Sequence, residues 1–211
     1  MVITGSAPYF TRSFPEAREF LQTEIVGSDY PVKHLIEQAR SKGHITKGKR
    51  GRGGGVVTSR DMAVLLTAIL AGDTPQEASD ALSTLIAAMP QPYFDRDGDT
   101  LEGLKDGWWD GPLSQVIAGL IDTSRNHPTL DIDDLIFTVY RAPIMQAQID
   151  WQFVSPPVSS VGPFETRHVT YTNEDQGEDG NVVGRQKICA SFDGRTLMRV
   201  ADWLEGREGH Q

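Results

Sequence analysis

The chain has 211 residues, a length typical of one or two domains. Hydrophobic residues make up 38% and charged residues 23% of the sequence, so a packed core is possible and wholesale disorder is excluded. The formal net charge is −9, only one cysteine is present, and no apolar run approaches the roughly 20 residues that span a bilayer. We therefore expect a cytoplasmic protein without an intrachain disulfide.

The charge is distributed unevenly along the chain. Residues 1–60 contain ten Lys and Arg against five Asp and Glu, a net of +5, whereas residues 61–211 contain ten against 24, a net of −14. Such asymmetry is typical of a polyanion-binding end joined to a second, acidic part. The Debye length of about 8 Å at physiological salt keeps the acidic part from cancelling a basic patch that points away from it.

Two amphipathic helices are predicted near the N-terminus, over about residues 15–25 and 31–42. Each has apolar residues on one face, and the opposite face of the second helix is polar and basic. Two short helices joined by a tight turn, with the second one basic, indicate a helix-turn-helix. The polar face of the second helix supplies these candidate DNA contacts: Lys33, His34, Gln38, Arg40 and Lys42.

A glycine-rich basic segment follows, over residues 43–57. Its ends are β-prone and its middle is basic, which predicts a β-hairpin wing with a positive tip; a solvated loop without a partner remains the alternative. Glycines let the backbone approach phosphates closely, and Lys and Arg neutralise them. The segment lacks the order of a phosphate-binding P-loop, because no Ser or Thr follows the lysine after the second glycine. The candidate DNA contacts of this segment are Lys47, Lys49, Arg50 and Arg52, and Arg60 at the start of the next predicted helix is a further one.

Two capping boxes mark the next helices. Thr58 with Asp61 opens a helix to about Ala71 that is apolar on most of its circumference, and Thr74 with Glu77 opens a helix to about Met89. A further amphipathic helix is predicted over about residues 111–124.

From about residue 131 the hydrophobic period changes from 3.6 to 2. Strands are predicted over residues 135–140, 145–153, 167–172 and 182–192, followed by a helix over 193–205. Cys189 lies in an alternating apolar stretch, and we expect it to be buried.

The predicted fold class is therefore α+β, with a helical, winged-helix-like N-terminal half followed by a small antiparallel sheet with a helix. The expected organisation is a nucleic-acid-binding domain over 1–90, a linker and helix over 91–130, and an acidic α+β domain over 131–211. The acidic domain is a candidate for oligomerisation or for binding a protein partner.

Residues 43–45 and 51–63 resemble the wing and following helix of MerR-like winged-helix domains, in which a glycine ends the recognition helix and a Ser/Thr-x-x-Asp start follows a basic wing. The module is also similar to the DNA-binding headpiece of small terminase subunits from tailed phages and of prophage proteins. The resemblance covers about residues 15–72. It implies double-stranded DNA as partner. Because one small module buries only about 600–1,000 Å² on DNA, useful affinity usually requires two or more copies, so we expect a homo-oligomer. The single cysteine favours the reducing cytoplasm of a bacterium or phage-infected host cell. The aromatic-rich segment that MerR-type regulators carry before the wing is absent.

We therefore expect a DNA-binding protein of phage or prophage type, with transcription control as the favoured role. The alternatives are a small terminase subunit, which recognises DNA for genome packaging, and a non-enzymatic protein-interaction or anti-host factor. No catalytic motif is recognised, and the five histidines stand at no metal-ligand spacing. The sequence thus predicts no enzyme activity, no cofactor and no metal site.

Overall fold

The computed structural model describes residues 11–47, 55–91, 109–125, 130–142, 145–153, 165–172 and 188–207. Within these ranges the chain forms six α-helices, mostly in its first half, and one five-stranded antiparallel sheet, mostly in its C-terminal half. The predicted α+β class is confirmed.

The helices follow the predicted capping signals closely. Both capping boxes form, with Thr58 at the start of the third helix and Thr74 at the start of the fourth. The first predicted helix is α-helical at its start and continues as a π-helical turn, Leu21–Val26, that ends at Gly27. The α-helices are α1 (Phe14–Phe20), α2 (Val32–Ser41), α3 (Ser59–Ala71), α4 (Pro75–Leu85), α5 (Leu113–Thr123) and α6 (Gly194–Glu205).

The sheet has the order β1-β4-β3-β2-β5, and all neighbours are antiparallel. The helix predicted to reach Met89 ends instead at Leu85, and residues from Met89 to Gln91 form a short edge strand on β4. Of the last predicted strand, residues 182–187 lie outside the described residues. The strands are β1 (Met89–Gln91), β2 (Ile136–Ala142), β3 (Gln146–Phe153), β4 (Glu165–Thr172) and β5 (Ile188–Asp193).

The alternation of the strands separates a buried face from a polar one. The buried apolar side chains of the three central strands are Phe137, Val139, Ala147, Ile149, Trp151, Val169 and Tyr171. Cys189 is exposed, so its predicted burial is wrong. It pairs with Tyr140 in the register of β2 and β5, whereas the neighbouring Ala190 pairs with the buried Val139, which places Cys189 on the polar face.

Helix α3 lies at the centre of the molecule. Its residues from Asp61 to Ala71 are all buried, and it contacts α4, α5, β2, β5 and α6. The two ends of the described chain also meet: the rings of Phe20 and Trp203 stack with centroids 5.0 Å apart, and Arg12 Nε donates to Trp203 O at 2.8 Å. Helices and sheet share one hydrophobic cluster. The sequence boundary at residue 90 stays a prediction about folding units.

Candidate nucleic-acid interface

A buried carboxylate holds the two ends of the glycine-rich basic segment together. Asp61 is 3% exposed, and its Oδ1 accepts from the backbone N–H of Thr46 at 2.8 Å. Its Oδ2 accepts from the N–H of Thr58 at 3.0 Å, from the Thr58 hydroxyl at 2.9 Å and from the Thr46 hydroxyl at 3.2 Å. Asp61 therefore holds Thr46 and Thr58, the residues on either side of the basic segment, close together. We call residues 47–57 the basic loop.

The described ends of the basic loop do not pair with each other as a hairpin would require. Val56 instead forms an isolated antiparallel bridge with Ser13, and the Val57 N–H donates to Arg12 O at 2.8 Å. For these ends the predicted wing hairpin is wrong, because the segment before α1 takes the pairing position beside Val56. The tip of the basic loop, residues 48–54, lies outside the described residues.

The polar face of α2 is exposed, and its basic side chains contact an acidic residue of the same helix, Glu37. Lys33 Nζ lies 4.0 Å from Glu37 Oε1, and His34 Nδ1 lies 3.3 Å from Glu37 Oε2. All three side chains are more than half exposed, so these contacts contribute little to stability and are easily exchanged for others. Lys33 and His34 remain accessible to a partner.

Arg40 packs against α1. Its guanidinium carbon stands 4.0 Å from the centre of the Phe14 ring, a cation–π arrangement, and its buried Nε has no hydrogen-bond partner. The neighbouring Gln38 is half-buried. Because Ser13, next to Phe14, bridges Val56, the guanidinium of Arg40 belongs to the same surface as the base of the basic loop.

Helix α2 ends beside α4. Gly43 adopts a positive φ of 77°, as expected for the glycine that ends the helix, and the His44 N–H donates to Ala39 O at 2.9 Å. Lys42 forms an ion pair with Asp80 of α4, and this contact holds the pKa of Asp80 below its usual range. Burial, with a smaller contribution from Lys42, lowers the pKa of His44, which favours the neutral imidazole. Lys42 therefore points to α4.

Two further predicted cations flank the base of the basic loop. Lys47 follows Thr46, and Arg60 stands in the first turn of α3. Both are exposed, and neither has an ion-pair partner within the part of the chain that the structure describes. Lys47 and Arg60 thus lie next to or near the residues that Asp61 holds, and Arg40 packs on Phe14, which follows the Ser13 that bridges Val56. Lys33 and His34 lie about two helical turns from Arg40. Lys49, Arg50 and Arg52 lie outside the described residues.

Comparisons with protein-family models, with curated proteins and with solved structures found no match for this chain. Among the described residues no group of three or more His, Cys, Asp or Glu side chains is arranged to hold a metal ion. In the same residues no helix is long and apolar enough to cross a membrane.

Sequence reasoning missed the second role of Asp61. The spacing of Thr58 and Asp61 predicts the capping box, but Thr46 stands 15 residues before Asp61, and no periodic pattern links the two. The acidic partners Glu37 and Asp80 were also missed as neighbours. Glu37 is recoverable from its i+3 and i+4 spacing on α2, whereas Asp80 requires the packing of α2 on α4.

Proposed function

We propose that the protein binds duplex DNA through the basic loop and the adjoining exposed face of α2. The observation that carries this proposal is the fastening of the basic loop by Asp61. Between Thr46 and Thr58 the sequence has four cations, five glycines and no acid. A buried carboxylate that accepts four hydrogen bonds from the two ends of this segment fixes where its charge emerges.

The cations have different parts in the proposed complex. Lys47 and Arg60, together with the loop cations Lys49, Arg50 and Arg52, neutralise phosphates, which supplies affinity without sequence information. Arg40 already packs over the Phe14 ring, so it loses little side-chain freedom when it binds.

Sequence reading falls to the exposed face of α2. Its residues Lys33, His34 and Gln38 meet base edges in the major groove. Glu37, which contacts both Lys33 and His34, either turns away from the DNA or accepts a hydrogen bond from a cytosine amino group.

The direct test measures binding of random duplex DNA by fluorescence anisotropy over a series of salt concentrations. We expect the wild-type protein to bind at low salt and to lose affinity steeply as salt rises. A quadruple variant, K47A/K49A/R50A/R52A, loses most of this binding. Its log–log salt slope becomes shallower by about 0.9 for each phosphate contact removed.

A matched control removes the same charge elsewhere. Arg125, Arg195, Arg199 and Arg207 are exposed in the described C-terminal half, and their fourfold replacement by alanine changes the net charge equally. We expect this control to bind DNA nearly as the wild type does. Equal losses in both variants would mean that only the overall charge matters. A wild-type protein that does not bind DNA even at low salt would support the protein-interaction alternative instead.

Transcription control is the process that we propose for this binding, with genome packaging as the alternative. Selection of bound fragments from a random DNA pool tests the choice. A short shared sequence motif is expected for a regulator whose α2 reads base edges. Enrichment without a motif would contradict sequence reading by α2 and would remove the support for regulation.

A further inference from the structure

The two edges of the sheet are built differently. The edge formed by β1 is three residues long and contains Pro90, and a short edge with a proline is a known protection against pairing with another chain. The edge formed by β5 is six residues long and contains neither proline nor lysine. No described residue pairs with the outer side of β5, since its only pairing in this part of the chain is with β2.

We propose that β5 pairs antiparallel with β5 of a second copy of this chain, which joins the two sheets into one. Residues 188–192 carry no charge, so the strand meets its own copy without placing like charges opposite each other. Antiparallel partners must share a face of the sheet. A two-fold axis at Ala190 satisfies this condition and sets Cys189 opposite Ser191 of the second copy, both of them exposed on the polar face.

Charge and function both favour a second copy as the occupant of this edge. Two molecules of net charge −9 repel each other, and this repulsion opposes association. The repulsion is weakest where the strands that meet carry no charge. The advantage of pairing rests on the proposed function, because one small module buries only about 600–1,000 Å² of protein surface on DNA. Two modules on one rigid sheet bind one duplex together.

The dimer is expected to be concentration dependent. A single strand pair offers less contact than the roughly 1,200 Å² of total buried surface at the lower end of stable interfaces. We therefore expect sedimentation velocity without DNA to show a weight-average mass that rises from monomer to dimer with protein concentration.

Charge variants of the two exposed edge residues test the proposed pairing. In C189K/S191K, lysines of one copy face lysines of the other, and dimers are lost; in C189E/S191E the same holds for glutamates. An equimolar mixture of the two variants dimerises again, because each lysine then faces a glutamate. A control with two lysines at exposed positions outside the sheet, A87K/T123K, dimerises as the wild type does.

The thiol of Cys189 gives a second readout that needs no variant. With the axis at Ala190 the two Cys189 residues are diagonal neighbours, with about 7–8 Å between them. A short bifunctional maleimide is therefore expected to link wild-type chains into covalent dimers.

A wild-type protein that remains monomeric at every concentration and is not cross-linked would overturn the inference. So would a C189K/S191K variant that dimerises as the wild type does. Neither result touches the proposed function, since DNA binding is measured separately in the loop variants. A wild-type protein that dimerises but does not bind DNA would contradict the proposed function and leave the strand pairing in place.

Discussion

Asp61 shows how much of this molecule depends on single buried polar groups. A buried carboxylate is tolerated only when its oxygens accept hydrogen bonds, and Asp61 accepts four from Thr46 and Thr58. It closes the basic loop and caps α3 at the same time. One side chain therefore connects the proposed DNA-binding segment to the most buried helix of the fold.

We expect D61N to lower the free energy of unfolding by about 1–3 kcal/mol. The amide nitrogen of asparagine donates and cannot accept, so donor groups of Thr46 or Thr58 would lose the oxygen that accepts from them. Urea denaturation measures the loss, and the amide hydrogen of Thr46 should exchange faster. The matched control is D122N, at an exposed aspartate of α5, which should unfold as the wild type does. Equal stability of D61N and wild type would contradict the closing role of Asp61.

Tyr30 predicts how stability responds to alkaline pH. Its hydroxyl lies 3.4 Å from Gly72 O, and burial raises the pKa of Tyr30 to about 12 from the ordinary tyrosine value of 10.0. A group whose pKa is higher in the folded state stabilises the fold below its unfolded pKa and loses this effect as pH rises. The contribution of Tyr30 is thus complete below pH 10 and disappears as pH approaches 12.

We therefore expect Y30F to lose less stability than the wild type between pH 10 and about 12, as measured by urea denaturation at a series of pH values. Some alkaline loss persists in the variant, because burial also raises the pKa of Tyr171. Parallel stability curves for Y30F and wild type over this range would show that Tyr30 titrates alike in both states.

At the scale of elements, local signals located the helices well. Thr58 and Thr74 supply caps that act within four residues, so the starts of α3 and α4 follow from sequence alone. Strands β2, β3 and β4 were predicted from the change of the hydrophobic period to 2, with clean alternation in β3. Strand β1 was missed because three residues containing Pro90 have no period, and only the free edge of β4 makes them a strand.

The candidate site was less predictable for the same reason. The cations Lys47 and Arg60 were found from charge clustering, but the pairing of Val56 with Ser13 connects segments that are 43 positions apart in the sequence. Such long-range pairings depend on which segment packs beside a strand edge that is still free. Local sequence patterns and composition do not predict this.

The joint between β2 and α6 offers a sharp test at this scale. Gly194 begins α6, its N–H donates to Leu135 O at 2.7 Å, and a Cβ at this position would stand 1.5 Å from Ile132 O. We expect G194A to destabilise the fold by about 3 kcal/mol or more, because backbone cannot move out of the way cheaply. Thermal denaturation gives the loss.

Gly119 is the matched control for this substitution. It lies exposed within α5, and a Cβ there meets nothing within 4 Å. G119A should therefore stabilise the protein by about 0.5–1 kcal/mol, since alanine favours the helix over glycine. If G194A were tolerated as well as G119A, the close approach of α6 to Ile132 would be contradicted.

At the scale of the whole molecule, the two oppositely charged parts of the chain pack together. The basic N-terminal and acidic C-terminal parts of the sequence are joined by one hydrophobic cluster, with α3 in contact with both the helices and the sheet. Phe20 and Trp203 add a contact between distant parts of the chain. The charge asymmetry supports the proposed site of DNA binding, and it does not coincide with a boundary in the packing.

We therefore expect a single cooperative unfolding transition. Fluorescence in urea follows the four tryptophans, all of which lie in the second half of the chain and two of which, Trp151 and Trp203, are buried. Far-ultraviolet circular dichroism is dominated by helices, most of which lie in the first half among the described residues. The two curves should coincide, because shared packing couples the halves. Two separate midpoints would support the boundary at residue 90 as a division between independent folding units.

The insertion of β1 beside β4 matters to anyone who divides this chain at the bench. A gene fragment that starts after residue 91 would produce the acidic part with its sheet missing one outer strand, and the amide and carbonyl groups along β4 would then face water. An exposed strand edge can pair with other chains, so we expect this fragment to aggregate under conditions in which the intact chain does not.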